Sequence, residues 1–149
     1  MRNAFAGVLA LGLLLTGTAP ARADAVYHTE RLVLEPIAAA PGGGMVVNIH
    51  PNGPEVYAHE IYTLKHVLPN ETYDVELWFY PFDTSCSSGV FFGSTPLTTN
   101  VAGNGQADRF ITPEDIPPPV RGSTHGVKWT VTLDGVPQYE TRCTSVTLD

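Results

Sequence analysis

Two cysteines and five histidines are the side chains of this 149-residue chain best suited to chemistry. A strand-borne metal site uses His-x-His on one face, or a Cys, His and Met set close together. Neither pattern occurs among His28, His50, His59, His66 and His125. His59 and His66 are seven apart, so a regular strand points them to opposite faces. Cys143 is followed by Thr-Ser-Val-Thr-Leu-Asp, which lacks the His or Met that would complete a copper set. What remains is His50 and the His59-Glu60 pair at the two ends of the turn 51–54, with Glu55 beside them. That grouping is a candidate copper or zinc site; the alternative is histidines hydrogen-bonded or exposed near a turn.

The run Trp78-Phe79-Tyr80-Pro81-Phe82 is a second candidate. Trp78 and Tyr80 share strand parity with Asp74 and Glu76, which places all four on the wetter face. Exposed Trp and Tyr anchor protein interfaces. They also stack on sugar rings, where Asp74 and Glu76 would accept hydroxyl hydrogen bonds. The structural alternative is that another segment covers this end and both rings are core. Catalytic signatures are missing: the chain holds no Gly-x-Ser-x-Gly, His-Glu-x-x-His, Walker or dinucleotide-binding pattern. Glu114-Asp115 reads as surface charge, and Ser85, Ser87 and Ser88 as loop residues around Cys86. The expectation is a non-enzymatic protein.

These residues take their setting from the N-terminus. A basic start with Arg2, an apolar run over 4–15 and Ala21-Arg22-Ala23 have the form of an export signal spanning residues 1–23. The run is shorter than the ~20 residues a bilayer span needs. The expected mature domain, 24–149, is therefore periplasmic or extracellular with no membrane anchor. Its 126 residues are the size of one domain. Cleavage takes Lys+Arg from 8 to 6 against 15 Asp+Glu, a net charge of −9. That balance opposes nucleic acid, whose binding needs a basic patch. In an oxidising compartment the only two cysteines, Cys86 and Cys143, are expected to form a disulfide.

The elements that must position these groups are strands. Residues 72–80 place Tyr73, Val75, Leu77 and Phe79 on one face, and residues 127–133 place Val127, Trp129, Val131 and Leu133 likewise. Period-two patterning of that length predicts strands with one buried face. Further strands are expected at 26–35, 45–50 and 56–68. A hairpin is expected to join 97–102 to 106–112 through Gly103-Asn104-Gly105, and a second turns at Asp134-Gly135 into a last strand at 138–148. In that last strand Tyr139, Thr141 and Cys143 have one parity and Val146 and Leu148 the other, which predicts a bulge near Thr144. Thr112 is placed to cap a short helical turn after Pro113.

Seven to eight short strands in one domain predict an antiparallel β-sandwich. The Tyr73-x-Val75-x-Leu77 strand, the segment 99–105 and the closing Cys143 strand resemble bacterial secreted immunoglobulin-like sandwiches, over about half of the mature chain. The chain departs from the antibody type, because no Cys precedes the Trp strand in the usual place. The resemblance implies an immunoglobulin-like fold, used for adhesion, ligand binding or scaffolding. The functional expectation is a secreted module that binds another macromolecule or serves the cell envelope. Alternatives are a copper- or zinc-binding protein at His50, His59 and Glu60, and a carbohydrate-binding module at Trp78 and Tyr80 that takes a polysaccharide.

Overall fold

The computed structural model describes residues 28–50 and 57–148. The expected export signal, the turn 51–54 and Glu55 lie outside the described residues. Nine strands follow one another: β1 (His28–Pro36), β2 (Gly43–His50), β3 (Ala58–Lys65), β4 (Thr72–Tyr80), β5 (Val90–Thr98), β6 (Gly105–Ile111), β7 (Ser123–Leu133), β8 (Val136–Glu140) and β9 (Thr144–Leu148). Every ladder is antiparallel. The strands run in the order β5-β4-β7-β8-β1-β2-β3-β6, with β9 beside β7. The end of β1 pairs with β8 and links the set β1-β2-β3-β6 to the set β5-β4-β7. At the far ends of this order β5 and β6 touch without a hydrogen-bonded ladder, so the sheet is nearly closed.

Alternation drives this arrangement. Tyr73, Val75, Leu77 and Phe79 of β4 are buried, and so are Val127, Trp129 and Val131 of β7. They meet Leu32, Leu34, Val46, Tyr62 and Leu64 from the other set in one core. Removing each such side chain from water contributes about 1.5–3 kcal/mol. The Asp134-Gly135 hairpin forms as expected, with φ of 50° and 75° at its two central residues. Positive φ at both marks the type I′ turn that matches strand twist.

Two expectations are corrected. The segment 97–112 is no hairpin: β5 pairs with β4, and β6 pairs with β3. The loop between them closes on itself instead of aligning two strands. Asn100 Oδ1 accepts the N–H groups of Ala102 (2.9 Å) and Asn104 (3.1 Å). The Gly103 carbonyl accepts Val67 N–H at 3.1 Å, so the turn is tied to the β3–β4 loop. Gly103 has φ of 70°, and a Cβ there would collide with the Val67 backbone. The last strand is also divided into β8 and β9. In the break Trp129 N–H donates to Thr141 Oγ1 at 3.1 Å, and Thr141 N–H returns to the Trp129 carbonyl at 2.9 Å. This is where the buried parity changes, from Tyr139 and Thr141 to Val146 and Leu148.

The disulfide is present: Cys86 and Cys143 are joined at 2.03 Å, tying the β4–β5 loop to the β8–β9 break. Cys86 sits at φ of 55°, a conformation that L residues seldom adopt. Asp83 organises the loop around it. Its carboxylate accepts the backbone N–H of Ser85 (2.9 Å), Ser87 (2.8 Å) and Ser88 (3.1 Å), and the hydroxyls of Ser85 and Ser87. These donors, the two serine hydroxyls foremost, hold the Asp83 carboxyl well below the usual carboxylate range. Ser85, Ser87 and Ser88 thus serve loop geometry.

Candidate functional site

The grouping of His50, His59 and Glu60 is split by the pleat of β3. Glu60 points inward and is 2% exposed, whereas His59, its neighbour, points outward. His59 Nε2 lies 3.1 Å from Asp108 Oδ2 on β6, and its ring stacks on Phe110 with centroids 4.1 Å apart. His50 also turns inward. Its Nδ1 lies 2.9 Å from the Tyr57 carbonyl and must donate to it. Nε2 is then the acceptor for Asn48 Nδ2 at 2.8 Å. His50 and Glu60 both border an interior cavity of about 30 Å³, the share of one water. Among the described residues no three His, Cys, Asp or Glu side chains gather in a position to hold a metal ion.

Glu60 belongs instead to a polar rung that crosses the interior of four strands. Glu30 of β1 stands opposite Asn48 of β2, Asn48 opposite Glu60 of β3, and Glu60 opposite Arg109 of β6. Cross-strand partners share a face, so these four side chains line one level of the interior over about 15 Å. Glu60 Oε2 accepts the Tyr62 hydroxyl and Trp129 Nε1–H (3.1 Å). Burial raises the Glu60 pKa, and these two hydrogen bonds and the Arg109 charge offset part of that rise. The buried Tyr62 hydroxyl is pushed up as well, first by desolvation and then by the Glu60 charge. Three buried side-chain polar atoms among the described residues lack a hydrogen-bond partner: Glu30 Oε2, Asn48 Oδ1 and Arg109 Nη1. All three lie on this rung. Native interiors satisfy nearly all such atoms, so their convergence marks a special place.

Sequence reasoning missed this rung because register joins residues far apart in the chain. One local signal existed: Glu60 has the parity of Ala58, Tyr62 and Leu64, all buried.

On the outside, Asp74, Glu76, Trp78 and Tyr80 do share the outward face of β4, Asp74 exposed and the other three half-buried. Trp78 stands opposite Phe91 of β5, and their rings meet edge to face at 5.8 Å and 68°. Trp78 Nε1–H donates to Glu76 Oε2 at 3.2 Å, which fixes the indole. Glu76 Oε1 receives the Thr132 hydroxyl at 3.4 Å. Phe91 is 55% exposed; in the same β4–β5 segment Val90 (53%), registered with Phe79, and Phe82 (63%), whose ring packs on His125, also leave apolar surface in water.

Phe82 is held there against its own backbone preference. It follows Pro81 in a turn closed by Asp83 N–H to the Tyr80 carbonyl, with φ of 58° where such turns favour Gly. The fully buried His125 pins it. Nδ1 accepts Phe82 N–H at 3.0 Å, while Nε2–H donates to the Val120 carbonyl at 2.7 Å. Alternation within β7 assigns His125 no role, since its partners are a backbone group of the β4–β5 loop and one of the turn just before β7.

The chain matches no protein-family model, no curated protein and no solved structure. Its geometry therefore carries the functional argument alone. No helix among the described residues is long and apolar enough to cross a membrane.

Proposed function

We propose that this protein is a secreted, non-enzymatic binding module built as an immunoglobulin-like β-sandwich, and that it takes another protein on the outer face of β4 and the edge of β5. The observation that carries this reading is the Trp78–Phe91 ring pair on the outer face of β4 and β5, where Phe91 is 55% exposed. Large apolar groups gathered in water are an unfavourable surface for a solitary protein and the usual core of an interface. The disulfide and the Asp83 network hold this end firm, and a pre-ordered surface loses less entropy on binding. The sandwich assignment is supported by two antiparallel sets that share one core.

A protein partner is favoured over a polysaccharide. Sugar stacking asks for a flat, open ring flanked by free acceptors. Here the Trp78 and Phe91 rings are crossed, and Glu76 is engaged by Trp78 and Thr132. A copper or zinc site at His50, His59 and Glu60 would need side chains that the pleat sends to opposite faces.

The test is retention of partners from the exported proteins of the native host on immobilised protein. Trp78→Ala/Phe91→Ser is expected to stay folded and to weaken retention of a discrete partner at least about tenfold, since each interface anchor contributes on the order of 2 kcal/mol. Equal retention by the folded double variant, or retention of insoluble polysaccharide instead, would overturn the assignment.

A further inference from the structure

We propose that the groove between β5 and β6 is a binding site for a small aromatic carboxylate, held by the Arg109 guanidinium. The groove shares Phe91 with the proposed docking face but opens between β5 and β6 and takes a different occupant. The groove encloses about 370 Å³ and is walled by Phe79, Phe91, Phe92, Pro117 and Val120, with Arg109 in its lining. That volume and that mix of apolar walls with two charged groups, Arg109 and Asp115, are those of a small-molecule site. It lies where the sheet fails to close, so strands leave room that no ladder fills.

Arg109 is built into this place. Its guanidinium lies over the Phe92 ring at 5.2 Å from the centroid. On its other side it packs against Gly93, where a Cβ would stand 2.7 Å from Nη1 and 2.9 Å from Nη2. The ring and the missing side chain fix the plane of the fork. Yet Nη1 is shut off from water with no acceptor. Two other cations among the described residues are engaged: Arg121 donates to the Ile116 and Pro113 carbonyls, and Lys128 pairs with Glu140 at 2.6 Å. Glu60, the cross-strand neighbour of Arg109, forms no ion pair with it, and its Oε2 accepts from Tyr62 and Trp129. Half-buried Arg109 therefore brings to the groove a guanidinium that donates to no described residue, and an anion there would satisfy it.

The chemistry of the occupant follows. A planar carboxylate matches the guanidinium fork, and an aromatic body matches the phenylalanine walls. Asp115 also lines the groove, but its Oδ2 accepts from Thr112 N–H (2.8 Å) and Thr112 Oγ1–H (3.0 Å), which ties it to its own turn.

The experiment is titration of the whole protein with phenylacetate, phenylacetamide and phenethylamine, followed by calorimetry and by amide and guanidinium NMR shifts. Phenylacetate is expected to bind saturably and at least about tenfold more tightly than the amide, a difference a single charge-assisted hydrogen bond supplies. Its shifts should centre on Gly93, Phe92 and the Arg109 side chain. Arg109→Met, shown folded by near-ultraviolet circular dichroism, should lose that preference. Equal affinity for acid and amide, no saturable binding, or shifts centred elsewhere would each overturn the proposal, even if the variant failed to fold.

Discussion

Glu60→Ala is expected to destabilise the protein by about 3–5 kcal/mol, read as a lower urea midpoint at neutral pH. The substitution strands two buried donors, the Tyr62 hydroxyl and Trp129 Nε1–H, and removes the carboxylate opposite Arg109. Glu60→Gln keeps an acceptor of similar shape and should cost much less. The two variants together separate the carboxylate's hydrogen bonding from its charge. Because burial raises the Glu60 pKa above its ordinary 4.5, the folded chain holds this proton to higher pH than the unfolded chain does. The stability that follows is complete below pH 4.5 and declines as pH rises through the folded value. Wild-type stability should therefore fall relative to Glu60→Gln above pH 4.5. Parallel pH profiles for the two proteins would contradict this description of the rung.

Cys86→Ser/Cys143→Ser should cost about 4 kcal/mol, from the loop entropy returned to the unfolded chain. The two cysteines are 57 positions apart, so the ring they close spans much of the domain. For a domain of this size the loss corresponds to a Tm lower by roughly 10–20 °C. The oxidised wild-type chain should show no titratable thiol under denaturing conditions. A double variant melting within a few degrees of wild type would mean that Asp83 and its serine partners hold the loop without the bond.

Which features were legible in the sequence follows from how local their causes are. Alternation in 72–80 and 127–133 exposes the core strands, since the pleat acts residue by residue. The disulfide follows from two cysteines and an expected compartment. The Asp134-Gly135 turn carries its own backbone chemistry. Gly103-Asn104-Gly105 carries similar residues, yet there Asn100 and Val67 capture the backbone groups and the chain crosses between sets. The first half of β5 was unreadable because an edge strand buries little: of Val90–Thr98 only Leu97 is in the core. The rung was hidden for another reason. Glu60 and Arg109 are placed together by the β3–β6 ladder, and nothing local to either residue announces the pairing. Glu60 read as a ligand beside a turn until its parity with Tyr62 and Leu64 put it inside.

The most direct test is site-specific photocrosslinking of the protein in its native host. A photoreactive phenylalanine analogue would replace Phe91 on the β4–β5 face in one protein, and Val136, an equally exposed apolar residue at the β7–β8 hairpin, in another. A docking surface on this face predicts a discrete protein adduct from position 91 and none from position 136. Adducts of equal yield at both positions, or none at position 91, would contradict a docking surface built around Trp78 and Phe91.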